Sequence, residues 1–387
     1  MTRPKKCAVV GIAELPPQRV TPGITTLEMI AKVSRRAVFD AGLQPTQVDG
    51  LICGPQVGET PQHVPATIAE YLGLQPRFAD VVDLGGASGA GMLWRAAAAI
   101  NAGMCDTVLC VLGNTRDPQR VPRSTNRNPI REFDVPYGAS GANQAYAMIA
   151  QQHMAQFGTT AEQLAHVAVK ERQNAQLNPE AVFHGKSITV NDVLESPMVM
   201  APLRLFEVVM PCGGGAACVV TSAERAQDYP HPPVFLMGAG EKVTHRALSQ
   251  APRLTTSPLA PAIAHAYAAA GVGPSDIDFL SIYDCYSIVV AITAEDAGFC
   301  GKGEGGQWVA EHNFSIHSSL PVNPQGGQLA CGQADLAGGM SHLIEAVRQL
   351  RRDACGRQID NADIALVTGN GATMSEEVAL VLGGARI

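Results

Sequence analysis

The chain has 387 residues, 46% of them hydrophobic and 16% charged, so it can bury a large core in two or three domain-sized units or in one body built from two halves. A net charge of −7 argues against a nucleic-acid or anionic-membrane surface, and no run of 18 apolar residues is present to span a bilayer. Ten scattered cysteines without a CxxC pair fit neither a zinc ribbon nor a disulfide framework and read as reduced thiols.

The opening MTRPKKCAVVGIAELP carries early positive charge, but Glu14 and Pro16 break its apolar run too soon for a signal peptide, and a cytoplasmic protein is expected. CAVVGIA then reads as a strand, residues 25 to 41 as a helix, GLICG as a strand and VVDLG as another. A helix from about 89 to 102 and the strand TVLCVLG follow. Residues 115 to 215 hold polar, Pro-containing loops, a helix near 141 to 157, and the long irregular stretch NPEAVFHGKSITVNDVLESPMVMAPLRLFE. A long loop region inside a compact body commonly carries binding function.

Beyond it the chain repeats itself. AGVGPSDIDFL (270 to 280) echoes AGLQPTQVDGL (41 to 51), each a helix stopping at Gly, a turn through Pro and an apolar strand. AGGMSHLIEAVRQL from Ala337 echoes GAGMLWRAAAAI from Gly89, and DIALVTGN from Asp363 echoes DTVLCVLGN from Asp106. Three ordered matches point to a duplicated α/β unit. Alternating strands and helices predict mostly parallel sheets covered on both faces, and two such halves give an α/β/α/β/α layered sandwich with a loop insertion. The expected boundaries are 1–115 for the N-terminal half, 116–228 for the insertion that completes it, and 229–387 for the C-terminal half.

Chemistry belongs where strands end and helices begin, because free N–H groups and the helix dipole favour developing negative charge there. Four stretches qualify: GGASGAG (85 to 91), IYDCYS (282 to 287), NPQGGQLACGQADLAGG (323 to 339) and GNGATMSEE (369 to 377).

These stretches, with LPVNPQGGQL, NPEAVFHGKSITVNDV, APLRLFE and the closing VTGNGATMSEEVALVLGG, resemble the thiolase superfamily. The similarity is greatest to its lipid-transfer branch, which includes the thiolase domain of sterol carrier protein X. The resemblance runs over nearly the whole chain and implies the thiolase-like fold. It also exposes departures. Where thiolases carry a nucleophilic Cys this chain has Ser88, and where they carry the His of a Gly-His-Pro motif it has Gln333. The His-Asp-Cys-Phe motif of the branch is here Tyr283-Asp284-Cys285-Tyr286. A hydroxyl needs a paired base to attack a thioester, and glutamine shuttles no proton near neutral pH.

Thiolase-like steroid side-chain aldolases lack the Cys and carry a Tyr-Asp pair that Tyr283 and Asp284 match. Their second Tyr falls at Gln333, where this chain departs again. The resemblance therefore implies retro-aldol cleavage of a bulky β-hydroxyacyl-CoA. Tyr283 would act as base or acid, assisted by Asp284 or a cation, and the Cys285 thiol would be a candidate proton carrier. The enolate would lie against the N–H groups near Ser88 and the Gly371-Ala372 turn. Asn323, Gly327 and Tyr286 are candidate substrate contacts, and His184 and Lys186 candidate contacts for the CoA phosphates. Asp335 reads as a helix N-cap.

A divergent acetyl-CoA acetyltransferase or C-acyltransferase, and a non-catalytic acyl-CoA or lipid-binding subunit, remain alternatives. No covalently bound cofactor is expected; the CoA thioester is substrate. The family implies a homodimer and a small zinc-ribbon/OB-fold partner, which would hold any zinc because this chain has no metal-spaced Cys. A metal site in this chain, nucleic acid and membrane are not expected.

Overall fold

Apolar runs buried on both faces alternate with helices whose apolar stripes cover them. The computed structural model describes residues 7–55, 63–117, 130–139 and 141–386. The early positive charges and part of the loop that opens the insertion lie outside these residues. The first half contains β1 (Cys7–Gln18), α1 (Thr26–Asp40), β2 (Gly50–Cys53), α2 (Val64–Leu72), β3 (Phe78–Val81), α3 (Ser88–Asn101) and β4 (Thr107–Asn114). The insertion supplies α4 (Ala142–Phe157), α5 (Ala161–Asn174), α6 (Val190–Glu195) and the small pair β5 (Met198–Met200) and β6 (Leu203–Arg204), before β7 (Gly213–Ser222) returns to the main sheet. The second half runs β8 (Val234–Val243), α7 (Leu259–Ala270), β9 (Phe279–Ser281), α8 (Ser287–Asp296), α9 (Gly305–Glu311), α10 (Gly327–Cys331), α11 (Leu336–Arg351), β10 (Ile364–Gly371) and β11 (Glu376–Gly383).

The duplication is visible in the turns. Gly42 (φ 69°) and Gly271 (φ 74°) take the left-handed conformation just after α1 and α7, short 3₁₀ turns follow at Pro45–Gln47 and Pro274–Asp276, and β2 and β9 begin a few residues later. Glycine suits both positions because a Cβ is disfavoured at positive φ. The other two echoes fall on α3 and α11 and on β4 and β10.

Among the described residues the main sheet has nine strands in the order β3-β2-β4-β7-β1-β8-β11-β10-β9. Each half repeats the same succession outward from the centre, and the halves join where β1 meets β8 antiparallel at Ala8↔Phe235 and Val9↔Val234. The expectation of mostly parallel sheets is corrected here. β2 pairs parallel with β3 and β4, and β9 with β10, but β7 and β11 run antiparallel to both of their neighbours. The reason is the connections: β10 turns into β11 through four residues, a hairpin that only antiparallel strands can make.

Successive strand side chains face opposite layers. Val108, Cys110, Val220, Val367 and Leu380 point inward, onto a core that holds Met92 and Leu93 of α3 and Met340, Leu343 and Val347 of α11. Leu109, Val111 and Val219 point outward beneath α1 and α2, and Leu366 and Val381 beneath α7 and α8. Two outer helix layers, two half-sheets and a central pair of helices are the five layers. No helix among the described residues is long and apolar enough to cross a membrane.

Candidate active site

The amino ends of the central helices α3 and α11 meet the carboxyl ends of β9 and β10. Close backbone approach makes this possible. A Cβ on Gly339 would fall 1.8 Å from the Gly86 carbonyl oxygen, and one on Gly86 would fall 2.1 Å from the Tyr283 hydroxyl. Bare backbone at the head of α3 therefore forms one wall, and the Tyr283 ring lies against it.

Tyr283 is 3% exposed, and the Gln333 Nε2 donates a 2.6 Å hydrogen bond to its hydroxyl oxygen. The Tyr283 N–H donates to Thr368 Oγ1 at 3.1 Å, which ties the residue to β10. Burial pushes the phenol well above its usual range, the neighbouring Cys285, Asp335 and Asp284 side chains push it further, and the Gln333 donor opposes them. Tyr283 is a neutral hydroxyl that keeps its own proton to donate.

Asp284 turns away from that hydroxyl. Its carboxylate accepts from the N–H groups of Gln328 (2.7 Å) and Leu329 (2.9 Å) at the head of α10, and its Oδ1 lies 3.1 Å from His342 Nε2. Asp284, expected to assist Tyr283, has its carboxylate bonded at the head of α10, and its charge beside the phenol raises the cost of ionising it. Gly327 lets the two segments close, since a Cβ there would sit 2.2 Å from Asp284 Oδ2 and 2.3 Å from Glu171 Oε2. Burial, then the charge of Asp284, hold the Glu171 carboxyl well above the usual carboxylate range.

Ser88 is fully buried at the first position of α3. Its hydroxyl donates to the Gly85 carbonyl at 2.7 Å and accepts the Leu84 N–H at 2.9 Å, while its own N–H donates to Gly85 at 3.1 Å. These bonds tie Ser88 into its own turn, so its hydroxyl shapes the wall. The Gly371-Ala372 turn packs on the same segment: a Cβ on Gly85 would lie 3.0 Å from the Ala372 nitrogen, and one on Gly371 would lie 2.0 Å from the Leu84 carbonyl oxygen.

Asn323, in a left-handed conformation (φ 47°), accepts the Ile282 N–H at 2.7 Å and donates to the Ile282 carbonyl and to Glu171 Oε1, each at 2.9 Å. It braces the segment that presents Tyr283. Cys285 is buried, and burial, the largest influence, pushes its thiol upward; the Tyr146 hydroxyl bonds to it. Tyr286 stacks on Tyr146 at 4.1 Å between ring centres and donates to Asn143 Oδ1 at 2.6 Å. The His184 loop docks on α10 through Val182 and Phe183. There His184 Nδ1 lies 3.1 Å from the Ala175 carbonyl, and the Lys186 side chain is exposed. No contact joins either residue to Tyr283.

Four residues at the site carry no signal in the sequence: Glu171, His342, Tyr146 and Glu377. The first lies on α5, a helix that sequence patterning missed, and the His342 ring is fully enclosed on α11 between Ser281 and Asp284. Glu377, on β11, is fully buried with no hydrogen-bond partner for either carboxyl oxygen among the described residues, and burial holds it well above the usual carboxylate range. A cavity of about 760 Å³ lined by Phe133, Tyr137, Met148, Leu248 and Leu254 opens at Ala372 and Thr373, next to the wall that carries Gly85.

Two half-sheets around paired central helices, with the site at the heads of those helices, define the thiolase-like class of α/β proteins. The Thiolase, N-terminal domain model matches residues 17–215 and the Thiolase C-terminal domain-like model matches residues 240–384; the chain belongs to this family. It is 32% identical over 379 residues to a steroid side-chain-cleaving aldolase of Thermomonospora curvata, covering 94% of each chain. It is also 32% identical over 354 residues to an acetyl-CoA acetyltransferase of Methanothermobacter thermautotrophicus, covering 89% of this chain and 91% of that one. Among solved structures it resembles the Ltp2-ChsH2(DUF35) aldolase, with a TM-score of 0.89 and 29% identity over 100% of this chain and 99% of that one.

Proposed function

We propose that this protein cleaves the Cα–Cβ bond of a bulky β-hydroxyacyl-CoA by a retro-aldol reaction. The observation that carries the reading is the Tyr283–Gln333 pair: a neutral hydroxyl, oriented by an amide, stands where a thiolase keeps its proton-transfer machinery, and the Ser88 hydroxyl is engaged in its own turn. Acyl transfer needs an activated nucleophile, whereas retro-aldol cleavage forms no acyl-enzyme. The hydroxyl proton passes to solvent, the C–C electron pair moves onto the thioester as an enolate, and a carbonyl product departs. The Tyr283 hydroxyl then protonates the enolate carbon, and N–H groups near the Gly371-Ala372 turn would hold the enolate oxygen. The apolar cavity is in the size range of small-molecule sites and supports a large acyl group.

The acetyltransferase relative favours acyl transfer as a second reading. In assembly terms, we read residues 1–115, 116–228 and 229–387 as parts of one catalytic body. The outer edge strand β3, largely exposed, supports a homodimer. The DUF35 chain named in the similar solved structure supports a companion protein of that kind.

The protein, purified with any chain bound to it, is incubated with a steroid β-hydroxyacyl-CoA and separately with a β-ketoacyl-CoA plus CoA. Carbonyl release from the first is expected, and Tyr283→Phe should lower its rate about 10²–10⁴-fold with acyl-CoA binding retained. Thiolysis of the second without cleavage of the first would establish the acyl-transfer reading instead.

A further inference from the structure

We propose that Glu171 is a positioning residue for Tyr283, holding in place both residues that flank it in the chain, a role that rests on the lyase reading above. Leu164, Ala168 and Glu171 fall at helical spacing on one buried stripe of α5. A carboxyl on such a stripe is costly to bury, and packing alone would be served by an apolar side chain. Glu171 is fully buried, and each of its oxygens meets a different support of Tyr283.

The first support is Asn323. Glu171 Oε1 accepts the Asn323 side-chain N–H at 2.9 Å. The same amide closes on Ile282, accepting its N–H at 2.7 Å and donating to its carbonyl at 2.9 Å, which fixes the residue before Tyr283. Asn174, one turn further along α5, donates to the Asn323 carbonyl at 3.1 Å, so this helix holds Asn323 by both its side chain and its backbone.

The second support is Asp284, the residue after Tyr283. A Cβ on Gly327 would lie 2.2 Å from Asp284 Oδ2 and 2.3 Å from Glu171 Oε2, so the two oxygens are no farther apart than those distances laid end to end. Two carboxyls this close in a dry site cannot both ionise, and they share one proton. The donors around them decide which keeps it. Asp284 accepts two backbone N–H groups at the head of α10 whereas Glu171 accepts one amide N–H, so the charge rests on Asp284 and the proton on Glu171. Glu171 Oε2 has no other partner among the described residues, and burial together with the Asp284 charge favours the protonated form. Its O–H is thus the donor that Asp284 lacks on that side. Ile282 and Asp284 are both held by groups that converge on Glu171, and the place of the Tyr283 hydroxyl against Gly86 follows from them. The other carboxyls near the site hold no such place. Asp335, expected to cap α11, stands at the cap position with no side-chain capping bond, and the Glu377 oxygens meet no partner among the described residues.

The test is steady-state carbonyl release from the steroid β-hydroxyacyl-CoA, together with thermal melting, in wild type, Glu171→Leu and Glu171→Gln. Leucine fills the space but gives Asn323 no acceptor and Asp284 no donor, so kcat should fall about 10²-fold with KM little changed. Glutamine keeps the acceptor and offers an N–H in place of the acid O–H, so kcat should stay within a few-fold of wild type. A Glu171→Leu variant that melts early yet keeps wild-type kcat overturns this role alone, as does a Glu171→Gln variant that loses as much kcat as Glu171→Leu. If Glu171→Leu does not fold, Glu171→Asp, one methylene too short to reach both partners, is judged by the same criterion. A wild type that cleaves nothing overturns the lyase reading and this role with it.

Discussion

Replacing Gly86 by alanine asks whether the position of the Tyr283 hydroxyl matters, without touching any functional group. The new Cβ would lie 2.1 Å from the hydroxyl oxygen, 2.4 Å from Cζ and 2.6 Å from the Asn370 carbonyl oxygen, where real Cβ atoms stay beyond 3.0 Å. The carbonyl belongs to β10 and cannot yield cheaply, so the phenol must retreat by about 1 Å. It has little room, being 3% exposed with Gly339 behind its ring and Gln333 at its oxygen. Overpacking of this kind costs about 1–3 kcal/mol of stability. A displacement near 1 Å in a reacting group costs on the order of 10²-fold in rate. Steady-state release of the carbonyl product should therefore show kcat down about 100-fold with KM little changed, and thermal melting should show a lower Tm. A variant that melts early yet keeps wild-type kcat would refute the claim that Tyr283 acts from this position.

Two predictions concern groups that act on the fold. Ser88→Ala leaves the Leu84 N–H buried and unpaired, which should lower stability by about 1–3 kcal/mol in denaturant titrations while kcat stays within a few-fold of wild type; loss of all activity would instead mark Ser88 as a nucleophile. Glu377→Gln addresses a carboxyl held protonated by burial. Because its folded value is raised, its contribution to stability is complete below about pH 4.5 and is lost as pH rises through the raised value. Glutamine is neutral throughout, so the Tm of the variant should gain on wild type as pH is raised from 5 to about 9, and parallel Tm curves would count against the buried-acid assignment.

Residue order alone determined the duplication, because the Gly-Pro-Asp turns and the Ala-rich helix after GGASG are local features that repeat wherever the same backbone path repeats. It also determined which chemistry is missing: Ser88 and Gln333 stand in recognisable motifs, and neither a hydroxyl nor an amide does the work of a thiolate or an imidazole. Tertiary structure decided what those motifs became. That the sheet is mixed and closes through β1 and β8 depends on strand pairings far apart in the chain, which local patterning does not encode. Tyr283 and Asp284 are adjacent in sequence yet serve opposite ends of the site, because the strand end aims one side chain at the head of α3 and the next at the head of α10. The Gln333–Tyr283 contact spans 50 residues, and Glu171 arrives from a helix with weak periodicity in the insertion. Whether a carboxyl there binds backbone N–H groups, as Asp284 does, or becomes a buried acid, as Glu171 and Glu377 do, follows from burial and neighbouring groups, which exist only once the chain has folded.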